Sequence, residues 1–311
     1  MGASGMHGGE GTPTPRATSD RSAARASGLE RIARLVRLWR LAARMELIWI
    51  ARGKSSAIAW YAADVFVGVG VVATTYLLAE RFDGIGTWSK SQIVFLLGYS
   101  ILVRGLVETM FGWNVAFISR RIGRGQLDHM LLQPQPLLTT ILTEGFGPLT
   151  GSGLVIVGIG LLCAAGHAGA GLWYAAFALN VVASVVVVMA YSYAWGSIAF
   201  FAPRAAEEIN SSTMEFVDQL RGFPLDGLSA LAMSGLATVI PVAFVAWVPA
   251  RALLGLGDAG SGIPGGAGVG WLFTPGFACL AGLSSTWIFR KGMKRYAETG
   301  SLRYLSLGHR R

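Results

Sequence analysis

The chain has 311 residues, 53% hydrophobic and only 14% charged, with a mean hydropathy of +0.51. Soluble domains carry about 25% charged residues, so this composition excludes a water-soluble globular enzyme and points to an integral membrane domain. The net charge of +9 sits at the two ends: residues 1–54 hold ten Lys/Arg against four Asp/Glu, residues 290–311 hold seven against one, and the interval between is net acidic.

In chain order, residues 1–27 are rich in Gly, Ala, Ser, Pro and Arg and predict a disordered basic tail. No apolar segment precedes residue 57, so no cleavable signal peptide is expected and the first span stays as an anchor. Over 28–54, Leu29, Ile32, Leu35, Val36, Trp39 and Ala43 recur near helical spacing, with Arg31, Arg34, Arg37, Arg40 and Arg44 between them. This predicts a basic amphipathic helix, lying on the cytoplasmic membrane surface or against a partner protein. Apolar spans follow at about 57–79, 92–118, 145–165 and 172–202, and a last one at about 268–289 runs into the string WIFRKGMKRY. The stretch 203–255 admits two solutions. Hydropathy selects 227–249 as the fifth span and leaves 205–223 as a cytoplasmic amphipathic helix. Alternatively 205–223 crosses and 224–255 folds back as a re-entrant element, broken at Pro224, Pro241 and Pro249. Both give an all-α polytopic membrane protein with six transmembrane helices over 55–290 and a basic tail over 291–311. Two basic ends around an acidic middle place both termini in the cytoplasm by the positive-inside rule.

Several enzyme-like strings fail on inspection. Gly53-Lys54-Ser55 resembles the end of a phosphate-binding loop, but the glycine required five positions earlier is Ile48. No HExxH or GxSxG string is present. Cys163 and Cys279 lie in apolar runs, and the four histidines have no metal-ligand spacing. Nucleic-acid binding is not expected, because the basic residues are not interleaved with aromatics on a folded surface. Charge inside the predicted spans is more informative, since it is expensive in hydrocarbon. Asp64 lies in the first span; Arg104 and Glu108 stand four apart in the second, on one helix face. Either they line a polar path or they neutralise each other and hold helices together. Glu208, Ser211, Ser212, Glu215 and Asp218 recur at three and four, so one side of 205–223 is polar, facing cytoplasm or a water-filled pathway. The string RRIGRGQLDHMLLQPQPLL, residues 120–138, is basic, then amphipathic, then broken by Pro134 and Pro136. It predicts a short helix across the membrane surface.

At this string the chain resembles the permease subunits of type-2 ABC exporters, in which an arginine-rich stretch, a glycine, a Leu-acidic-x-x-Leu-Leu helix and a proline link the second and third spans. Here these are Arg121, Gly125, Leu127, Asp128, Leu131, Leu132 and Pro134. Residues 222–255 look like the region after that family's fifth span. The ending RKGMKRYAETGSLRY is similar to the basic-Gly-x-x-x-Tyr tail of one of its subgroups. The resemblance covers about 28–305. It implies that 120–133 is a coupling helix, with Leu127, Leu131 and Leu132 seated in an apolar cleft of an ATPase and Arg121, Arg124 and Asp128 around it. It also implies that 28–54 is the interface helix beside it and that 205–223 is the fifth span, before a re-entrant hairpin at 224–255. Asp64, Arg104, Glu108, Glu215 and Asp218 then become candidates for the translocation path. The partners implied are two copies of an ABC ATPase carrying ATP and Mg, a second permease (the same chain or a sister), and the lipids of a prokaryotic plasma membrane. This chain itself is expected to bind no cofactor and to catalyse no reaction. The alternative is an ion-coupled secondary transporter using Asp64, Arg104 and Glu108, which calls for internal repeats that the halves do not show. Few intramembrane charges lean towards a lipid, an amphipathic drug-like molecule or a peptide as cargo.

Overall fold

The computed structural model describes residues 28–81, 87–112, 114–133, 135, 137–226, 228–256 and 269–299, which form helices and turns without a β-sheet. The predicted tail 1–27, Pro134 and Pro136 lie outside the described residues. Helix α1 (Gly28–Arg52) corresponds to the predicted amphipathic helix, and α2 (Lys54–Arg81) contains the first predicted span. Helix α3 (Lys90–Phe111) opens on a capping box. Gln92 N–H donates to Ser89 Oγ at 3.5 Å, and Ser89 N–H donates back to the Gln92 side chain at 2.9 Å. It stops at Gly112, whose φ of +48° turns the chain, and α4 (Asn114–Gly123) is a separate helix. The predicted span 92–118 is therefore two elements.

Next come α5 (Gln126–Leu131), α6 (Leu137–Glu144) and α7 (Ser152–Ala165). Helix α7 is shorter than the predicted 145–165, because residues 145–151 are drawn into a turn. Helix α8 (Leu172–Gly196) continues as a 3₁₀ turn, Ser197–Phe200, and α9 (Pro203–Leu220) starts with proline in its first turn, where no donor is needed. Helix α10 (Ala230–Thr238) is followed by a π-helical turn, Ala243–Trp247, leading into α11 (Val248–Leu254). A 3₁₀ turn, Val269–Leu272, precedes α12 (Phe273–Thr299), which runs ten residues beyond the predicted span and makes part of the predicted tail helical.

Among the described residues three helices are long and apolar enough to cross a membrane: Lys90–Phe111, Leu172–Phe200 and Val269–Thr299. A fourth span results if Leu231–Thr238 and Ala243–Leu254, bent by 76° at Pro241, count together. At 14 residues, apolar α7 reaches only about 21 Å.

Two apolar clusters organise the packing. The larger joins Trp88, α3, α8, Val217, Leu225 and the segment 242–253; the smaller joins Ile118, Ile122, Leu127, Met130, Ile141, Phe200, Ala206 and Tyr296. They define a tryptophan end, around Trp88 and Trp247, and an elbow end, around α4 and α5. Helices α3 and α7 run so close that a Cβ on Gly105 would lie 2.7 Å from Val155 N, and one on Gly158 2.6 Å from Leu102 N. Only glycine permits that approach, as in other membrane helix pairs joined through small residues. Helix α9 begins in the smaller cluster at Ala206 and contributes Val217 to the larger, and Gly222 beyond it sits against Leu97 and Ser100 midway along α3. The chain then reaches Trp88 at Asp226. The bend before α11 lies beside Ser184, whose Oγ donates to Phe244 O at 3.5 Å. Helix α11 returns to the tryptophan end, where Trp173 Nε1–H donates to Leu253 O at 2.9 Å and Trp271 Nε1–H to Ala252 O at 3.0 Å.

Candidate functional site

The string 120–133 does not form one helix. Helix α4 carries Arg120 and Arg121, the chain turns at Gly125 in the left-handed region (φ +69°), and α5 follows at once. Glycine is needed there because a side chain is strained at that φ. The elbow is buttressed from several sides. The Arg121 guanidinium pairs with Glu144 at 2.5 Å and reaches Met130 Sδ at 3.8 Å; Arg120 pairs with Glu207 on α9 at 2.5 Å. Asn210, fully buried on α9, donates to Ser119 Oγ at 3.4 Å. Asp128 accepts the hydroxyl of Tyr296 from α12.

Of the three leucines predicted to face a partner, Leu127 is wholly buried in the smaller cluster, so its side chain holds the elbow to the protein. Leu131 is 37% exposed and Leu132 83% exposed. With exposed Arg124, Gln126 and His129 they form the outer surface of the elbow. Arg121 and Asp128, predicted to contact a partner, are engaged within the chain.

Two supports of this end went unread in the sequence. Glu46 of α1 accepts Leu149 N–H at 3.0 Å, Thr150 N–H at 2.9 Å and the Thr150 hydroxyl at 2.6 Å, pinning α1 to the turn before α7. Trp39 stacks on Phe146 with ring centroids 5.4 Å apart. An acidic residue within an arginine-rich helix was the available signal. A further support is the Gly-x-x-x-Tyr string of the last helix, noted in the sequence but without its packing role. A Cβ on Gly292 would lie 2.1 Å from the Phe200 ring, and Tyr296 one turn on packs its ring against Phe200 while its hydroxyl meets Asp128.

The charges predicted inside the spans fall into two groups. Arg104 and Glu108 pair at 2.6 Å, and Arg221 pairs with Asp218 at 2.8 Å within electrostatic reach of both. Residues from α3 and the end of α9 thus make a charge-balanced set. Glu215 stands exposed on α9. Asp64 lies on α2, and its side chain is outside the described residues.

A further constellation lies at the tryptophan end. Asp226 accepts the Trp247 indole N–H at 2.8 Å, the Trp88 indole N–H, and the Arg251 guanidinium. The Arg251 side chain is only 3% exposed. A buried pair of this kind is destabilising to break singly, because the remaining charge stays in low dielectric. Among the described residues no three His, Cys, Asp or Glu side chains could hold a metal ion, and both cysteines are exposed thiols.

No curated protein and no solved structure matches the chain. The family described as ABC-2 family transporter protein matches residues 65–300, from within α2 to the end of α12, and so takes in the elbow, the paired charges of α3 and α9 and the Asp226 cluster. This chain belongs to the ABC-2 transporter family, as a membrane-embedded transport component.

Proposed function

We propose that the chain is the permease subunit of an ATP-driven exporter in a prokaryotic plasma membrane, coupled through the α4–α5 elbow to a separate ATPase. The observation that carries this is the elbow. Leu131 and Leu132 are held outward at the end of a short helix whose other side is anchored by Leu127, Arg121–Glu144 and Asp128–Tyr296. An apolar surface borne on a stiff, multiply anchored element suits transmission of force, because a push on Leu132 moves α4, α9 and α12 together. ATP and Mg belong to the partner, in two copies, and a second permease, this chain or a sister, completes the path. ATP binding and hydrolysis there bias the paired permeases between two openings.

The same reading makes α9 the fifth of six spans and α10–α11 a re-entrant hairpin. It is supported by α9 linking the two clusters and by α11 returning to the tryptophan end. The elbow end is then cytoplasmic, as are both termini, which agrees with the basic residues of α1 and α12. The paired Arg104, Glu108, Asp218 and Arg221 favour a structural role over an ion relay.

Mild-detergent purification of the tagged chain from its native membrane, followed by mass spectrometry, tests the assignment. An ATPase is expected to accompany the wild type and to be lost when Leu131 and Leu132 are both replaced by Glu, with membrane insertion unchanged. Repeated recovery of a homo-oligomer without ATPase refutes it.

A further inference from the structure

We propose that the groove between α9 and α10 binds the apolar tail of an amphipathic cation, whose charged head is received by Glu215. The inference deepens the permease reading by naming a class of cargo. The groove has a volume of about 750 Å³, within the ~300–1,000 Å³ of pockets that take small molecules. Its walls are Phe216, Leu220 and Phe223 on one side and Leu236, Val239 and Ile240 on the other. Asp226, at its end, is already balanced by Arg251. An apolar tail is therefore the complement of the groove itself.

The sign of the head follows from the carboxylates beside it. On α9 and the turn after it, Glu207, Asp218 and Asp226 are ion-paired with Arg120, Arg221 and Arg251. The Glu208 and Glu215 side chains are exposed and have no hydrogen bond or ion pair among the described residues, and of the two only Glu215 adjoins a wall residue of the groove. It directly precedes the wall residue Phe216 on α9 and so stands beside the groove rather than within its lining. With α9 read as the fifth span, an unpaired carboxylate on it is costly. A cation held beside an apolar slot offsets that cost, whereas an anion of the same shape is repelled.

The test uses the full chain in phosphatidylcholine nanodiscs, titrated with radiolabelled tetradecyltrimethylammonium and, in parallel, tetradecyl sulfate, which has the same tail and the opposite charge. Saturable binding above protein-free discs is expected, at least tenfold tighter for the cation. Glu215→Gln should weaken the cation about tenfold and abolish the preference, one tenfold step being the scale of a partly desolvated ion pair. Gly235→Leu should abolish binding of both probes, since Gly235 lines the groove and a Cβ there meets nothing within 4 Å. The same replacement at Gly160, equally open on α7, should leave binding intact and controls for folding. Equal affinity for the two charges, binding that survives Gly235→Leu, or no saturable binding overturns the proposal. So does disulfide cross-linking of Phe216→Cys between two copies without probe, in a Cys163→Ser/Cys279→Ser background, because the groove is then a protein interface. No ATPase enters these assays, so failure here leaves the permease assignment standing on the co-purification experiment.

Discussion

Glu46 shows how much one side chain can fix at the elbow end. Its carboxylate collects three hydrogen bonds from residues 149–150, two of them from backbone N–H groups of the turn, one of which, Thr150 N–H, it shares with Gly147 O. Hydrogen bonds to a charged acceptor contribute about 1.5–3 kcal/mol. Glu46→Gln, which keeps the shape and removes the charge, should lower the apparent Tm of the purified chain by about 3–6 °C. Arg44→Gln, an exposed neighbour, should not change it measurably; equal shifts for the two variants would show that Glu46 does not anchor α1. Asp226 makes the same point at the opposite end. From the sequence it is one acid beyond a polar stretch, and Arg251 is one base beside a loop. Their pairing needs the hairpin to bring residues 25 apart together, which no local pattern announces.

At the scale of elements, the helices were legible where apolar runs are long and uninterrupted. Helices α3, α8 and α12 overlap predicted spans because a helix of that length satisfies its own backbone groups in lipid. Boundaries were less legible. Gly112 ends α3 although the following residues continue a helical pattern, and the turn held by Glu46 shortens α7. The α3–α7 contact depends on Gly105 and Gly158, which the sequence presents among 42 glycines without distinction. Gly158→Leu should therefore prevent recovery of a monodisperse protein, since the new Cβ meets the α3 backbone at 2.6 Å. Gly160→Leu, two residues on and with open space around it, should elute as the wild type. Size-exclusion profiles of the two variants decide whether the close approach holds α3 and α7 together.

For the whole molecule, the question is which end faces the cytoplasm. In a Cys163→Ser/Cys279→Ser background, Leu272→Cys should react with a membrane-impermeant maleimide in intact cells. Leu132→Cys should react only in inverted vesicles. Both positions are well exposed, at 61% and 83%, so reactivity reports sidedness rather than burial. The reverse pattern would invert the topology and remove the elbow from reach of a cytoplasmic ATPase.

The sequence by itself determined the class of molecule, because composition, apolar run length and the placement of Lys and Arg are properties a bilayer reads directly. It also marked the elbow, through an arginine pair, a glycine and a Leu-acidic-x-x-Leu-Leu helix. Only the tertiary structure decided what each of those residues does. Leu127 is a core residue and Leu131 and Leu132, at the end of the same short helix, are surface ones, because α4, α6 and α12 cover one of its faces and leave the other bare. Likewise Tyr296 meets Asp128 across 168 positions of chain. Such contacts are set by the packing of distant helices, and helical periodicity carries no record of which neighbour a face will find.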